Sequence, residues 1–175
     1  MSPKEASIDQ LYQKRQSRYL AKSAAQDALA ATRTALREAN EVKRVSHEAK
    51  ANARDELSAV WVAYTETKTH NSARLEQIAE YKDETESYIS SCRQELSLAR
   101  YRNDNEACWR IQGELNEYYA LLKTYAQLRE EAIDEIADAS ALYREKREYF
   151  HKMKELAEQA DESAESQQHL YVLLS

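Results

Sequence analysis

The chain has 175 residues, of which 32% are charged, with a net charge of −6, one glycine (Gly113) and one proline (Pro3). Ordinary domains carry roughly 7% Gly and 5% Pro, and tight turns depend on both. So few of either exclude a β-rich fold, while twelve Tyr, two Trp and regularly spaced Leu and Ile argue against disorder. The abundant Ala, Glu, Lys, Leu, Arg and Gln lose little rotamer freedom in a helix. The predicted class is all-α, built from long antiparallel helices of coiled-coil type.

The first helix has a clear start. Ser2 as N-cap, Pro3 at the first helical position and Glu5 at the third make a capping box with its proline. Apolar residues then recur in steps of three and four, among them Ile8, Leu11, Leu29, Leu36, Val42, Leu57, Val60 and Tyr64. A slip of register near Asn40 is the one weak point. The run predicts a helix over 3–66. Residues 65–72 are rich in Thr, Asn and Ser, which compete for backbone hydrogen bonds, so an interruption is expected there.

A second helix is predicted over 73–100, with Leu75, Ile78, Tyr88, Ile89, Cys92 and Leu96 on its apolar face. Residues 102–105 (Arg-Asn-Asp-Asn) are the clearest turn, and the spacing from Asn103 to Glu106 is that of a capping box. A third helix follows, over about 104–165. Gly113 inside it costs roughly 1 kcal/mol relative to Ala, a cost that a close helix crossing would explain. Further on, Ile136, Ala139, Tyr143, Lys146, Phe150, Met153, Ala157, Ala160 and Ala164 alternate in steps of three and four. A second line, Leu142, Tyr149, Leu156 and Leu170, lies beside it. Together they are wider than the seam of a two-helix coil and suggest two neighbouring helices. With no repeat or linker, 1–175 reads as one domain.

These lengths predict a three-helix core with extended ends. The overhangs would be residues 3–37, with seven Lys or Arg against three acids, and about 135–165, with five against nine. Opposite charge and apolar stripes suit pairing between chains. The alternative is a compact four- or five-helix bundle, with the long helices bending near Asn40 and Ser140.

Little in the sequence supports catalysis. Di-metal helical bundles need two Glu-x-x-His pairs, and the chain has one, Glu148 with His151. His47-Glu48 opens like a zinc-protease motif, but Ala51 stands where the second His belongs. One glycine cannot build a phosphate loop or a nucleophile elbow. Cys92 and Cys108 lack metal or redox spacing and read as reduced core residues. No export signal precedes them and no apolar run approaches a membrane span, so a cytoplasmic protein without cofactor or metal is expected. Acidic net charge opposes nucleic-acid binding, although Lys14, Arg15, Arg18 and Lys22 cluster on the first helix.

The expected function is a non-enzymatic scaffold or adaptor that works by helix–helix association, as a homo-oligomer or with another helical protein. The packing residues singled out for that role are Leu29, Leu36, Tyr143, Phe150, Met153 and Leu156. Two alternatives stand beside it: a peripheral membrane-surface module of BAR-like type, with which the chain shares only the helix number, and a metal-dependent helical-bundle enzyme.

Overall fold

A computed structural model describes residues 2–175. It contains two helices, α1 (Pro3–Tyr101, 99 residues) and α2 (Asn105–Leu174, 70 residues). Among the described residues there is no strand. The all-α class and the long antiparallel helices are as expected. The helix count is not: there are two, so neither the three-helix core nor a four- or five-helix bundle is formed.

The start of α1 matches its capping box. Glu5 N donates to Ser2 Oγ at 3.3 Å and Ser2 N donates to Glu5 Oε2 at 2.6 Å. The expected interruption at 65–72 is absent, because the polar side chains there support the helix. Thr65 Oγ1 donates to the Trp61 carbonyl and Thr69 Oγ1 to the Thr65 carbonyl, both at 2.9 Å. Asn71 Nδ2 donates to the Thr67 carbonyl at 3.0 Å. Each reaches the carbonyl four residues back, so the hydrogen-bonding capacity that favours a turn is spent inside the helix. The chain also stays helical through Asn40 and Ser140.

The reversal occupies three residues, Arg102–Asp104. Asn103 has φ 56°, the left-handed conformation that Asn tolerates after a helix end. Asp104 N donates to the Ala99 carbonyl at 3.0 Å and Asn103 N to the Arg100 carbonyl at 3.2 Å, which is the Schellman pattern. The N-cap of α2 is therefore Asp104 and not Asn103: its Oδ1 accepts from Ala107 N at 3.1 Å. Asn103 cannot cap α2 because its backbone is committed to closing α1.

Packing divides the chain into two units, Glu56–Arg147 and Met1–Asp55 with Glu148–Ser175. In the Glu56–Arg147 unit the core is Ile89, Cys92, Leu96 and Ala99 of α1 against Ile111 and Leu115 of α2. Cys108, Tyr118 and Leu122 pack around it. Both cysteines are free. Burial pushes the Cys92 thiol up, and the neighbouring Glu114 carboxylate, 3.7 Å from Sγ, pushes it further the same way.

Aromatic pairs continue the contact between the helices. Tyr88 stacks on Tyr118 and Tyr81 on Tyr125, at centroid distances of 5.7 and 6.2 Å. Tyr143 stacks on Tyr64 at 5.8 Å and meets Trp61 at 5.0 Å. Lys146, the odd member of the α2 stripe, reaches Glu56 at 3.3 Å. Asn71 is fully buried, and Arg74 Nη1 donates to its Oδ1 at 3.1 Å while lying 3.6 Å from Glu135. The contacts of Glu135, Tyr143 and Lys146 mean that this part of the expected 135–165 overhang is paired with α1.

Gly113 has nothing within 4 Å of the place a Cβ would occupy, so no close helix crossing accounts for it. With open space and helical φ, Gly113→Ala is expected to stabilise the fold by about 1 kcal/mol, read from urea unfolding monitored by circular dichroism. A neutral or destabilising outcome would contradict the open environment.

Candidate functional site

The second unit combines residues up to Asp55 of α1 with α2 from Glu148 onward. The most deeply buried residues of its seam are small. Ala53, Ala157, Ala160 and Ala164 are buried, with Ala157 only 1% exposed. Leu29, Leu36, Ala39, Phe150, Met153 and Tyr171 are half-buried around them. Steps of three and four persist along α2 at 150, 153, 157, 160, 164, 167 and 171, so one face of α2 meets α1 throughout.

Polar contacts fix the alignment of the two helices. His47 Nε2 donates to Asp161 Oδ1 at 2.7 Å, and Lys43 Nζ lies 3.7 Å from the same oxygen. The Arg33 guanidinium sits 6.0 Å over the Tyr171 ring. These contacts also place Asp161 and Tyr171 against α1, so the remainder of the expected acidic overhang is not free either.

Large apolar side chains lie outside the seam. Tyr149, Leu156 and Leu170 each precede a seam residue (Phe150, Ala157, Tyr171) and all are exposed. On α1, Ala28, Ala35, Val42 and Ala49 occupy the matching positions before Leu29, Leu36, Lys43 and Lys50. The local two-fold axis of an antiparallel helix pair keeps matching positions on the same side. Both lines therefore border one groove, which Val45 and Leu173 extend. Leu156 is 49% exposed and Val42 56%. Complete burial of such a side chain is worth roughly 1.5–3 kcal/mol, so about half of that is unrealised at each position.

The start of α1 is likewise unpaired. From Pro3 to Ala28 no residue is buried, and Ile8 and Leu11 are each 65% exposed, as are Tyr12 and Tyr19 to a similar extent. The expected overhang of 3–37 is thus shorter, because the seam with α2 begins at Leu29. Residues 10–26 carry Lys14, Arg15, Arg18 and Lys22 and no acid; residues 155–175 carry five acids and no Lys or Arg.

The six packing residues singled out from sequence fall in different places. Leu29, Leu36, Phe150 and Met153 line the seam of this unit, and Tyr143 lines that of the other. Leu156 alone borders the open groove. Val42, Val45 and the alanine line beside them were not singled out. The seven-residue spacing of Ala28, Ala35, Val42 and Ala49 was the available signal, diluted by the many other alanines of α1.

Among the described residues no group of three or more His, Cys, Asp or Glu is placed to hold a metal, and Glu148 and His151 are both exposed. No helix is long and apolar enough to cross a membrane, among the described residues. A cleft beside the turn is lined by Leu96, Cys108, Trp109 and Gly113. Two helices in place of three also remove the feature that the chain shared with BAR-like modules. Fold and groove together define an all-α protein of paired long helices with an unfilled apolar face. No protein-family model, characterised protein or solved structure matches the chain.

The hydrogen bond from His47 holds the Asp161 carboxyl below the usual carboxylate range. Partial desolvation opposes this, and the charges of His47, Lys43 and Lys50 reinforce it. With its folded value lowered, Asp161 contributes fully above the unfolded aspartate value of about 3.9 and loses that contribution as pH falls through the lower folded value. In His47→Ala the Asp161 titration is expected to move up toward the ordinary value, measured by carboxyl NMR. An unmoved midpoint would mean that His47 does not bond Asp161 in solution.

Proposed function

We propose that the protein is a helical scaffold, without catalytic activity, that works by associating with a second copy of itself through long-helix packing. The observation that carries this reading is the groove of the Leu156 unit, where large apolar side chains stand outside a seam whose buried residues are alanines. A helix pair that fully buries only its small residues, and leaves a line of large ones exposed beside them, gains most from a third helix laid along the open side. Scattered exposed leucines are ordinary, but a line with seven-residue spacing on one face is not.

Electrostatics support the same reading. The basic stretch around Arg15 and the acidic stretch around Asp161 belong to one chain, so two copies offer each other complementary surfaces. The place of action in this reading is the cytoplasm.

Light scattering coupled to gel filtration is expected to give twice the chain mass at low salt. The dimer should weaken as salt screens the charge attraction, although burial keeps part of the affinity. A monomer at every concentration and salt level would overturn the proposal.

A further inference from the structure

The self-association proposed above leaves open which surfaces meet. We infer that the unpaired arm of α1, residues 3–28, lies in the groove of a second copy, between α1 residues 28–52 and the α2 line Tyr149, Leu156 and Leu170, and that the second copy returns the contact. The inference rests on the self-association reading and gives it a geometry.

Three observations select this arrangement. First, both surfaces lie in the same unit and both are incomplete. The arm exposes Ile8, Leu11, Tyr12 and Tyr19, and the groove exposes Val42, Val45, Tyr149, Leu156 and Leu170. Second, their charges are opposite. The arm carries Lys14, Arg15, Arg18 and Lys22 without an acid between residues 10 and 26. On the groove side of α1, Glu38 follows Ala35 by three residues and is exposed. Arg33, Arg37 and Arg44 lie round the other side of α1, where Arg44 is held between Glu41 and Glu48 at 2.7 and 3.1 Å.

Third, a single alignment satisfies both. Two α1 helices that cross antiparallel near Ala28, where seam burial gives way to the free arm, bring Arg18 of each copy beside Glu38 of the other. The contact is two-fold symmetric, so each arm is covered once and the assembly closes at two.

Direct pairing of the two arms fits less well. In an antiparallel arm–arm contact Arg15 and Arg18 would face their own copies, and like charges opposite one another oppose association.

The experiment is a charge swap followed by sedimentation of the full chain. Arg18→Glu makes one variant; Glu38→Lys makes the other. Both side chains are exposed, so folding should survive and circular dichroism verifies it. Each variant alone is expected to dimerise at least about tenfold more weakly than wild type. Mixed one to one, both contacts become complementary again and a heterodimer of near wild-type affinity should form.

Variants that still dimerise like wild type would overturn the arm-in-groove contact while leaving self-association intact. Weakened variants that do not recover on mixing would overturn it too. A wild-type chain that stays monomeric fails the self-association reading itself, and the contact with it. So does a wild-type monomer whose arm instead binds vesicles of anionic phospholipid.

Discussion

Everything in this molecule depends on the requirement that a helix bury one face continuously or fray. Isolated helices gain little from propensity alone, and in proteins most helical stability comes from an amphipathic face packed on something else. The 99 residues of α1 are held wherever α2 supplies the second half of a seam. The three-residue reversal at Arg102–Asp104 makes that pairing local in sequence. It joins the Schellman end of α1 directly to the Asp104 cap of α2. Both helices then need only keep steps of three and four to stay in contact.

The two units meet that requirement with different chemistry. Around the turn, Ile89, Leu96, Ile111 and Leu115 are interleaved and buried, and tyrosine pairs extend the contact. Where Asp161 meets His47, alanines are the buried seam residues, and Tyr149, Leu156 and Leu170 stand exposed beside them. Apolar burial scales with area, so the alanine seam gains less from each residue. A third helix over the groove would restore the missing area, and that need motivates both the scaffold reading and the arm-in-groove contact.

Much of the fold was legible in the sequence. Pro3 and Glu5 marked the start of α1, the Asn-rich tetrad marked the turn, and the line from Ile136 to Ala164 is the face α2 turns toward α1. The misreadings share one cause: side-chain character was taken as decisive where tertiary placement decides. Thr65, Thr69 and Asn71 resembled a loop because their hydrogen-bonding groups favour one, yet those groups turn back onto the helix carbonyls. Asn103 and Asp104 suit either end of a helix, and only the backbone angle separates their tasks. The width of the α2 stripe suggested two neighbouring helices, whereas α1 covers only its inner line and leaves Leu142, Tyr149, Leu156 and Leu170 exposed. That its outer line is uncovered within this chain follows only from knowing that α1 does not fold back.

The most direct measurement is hydrogen exchange along residues 8–25 as the protein is diluted. An arm that packs on nothing should open readily, whereas an arm seated in a partner's groove is held closed. The account predicts slow exchange at concentrations where two copies associate, speeding up on dilution in step with dissociation, while Ile111 and Leu115 stay protected throughout. Exchange of the arm that is equally fast across the whole range would contradict it.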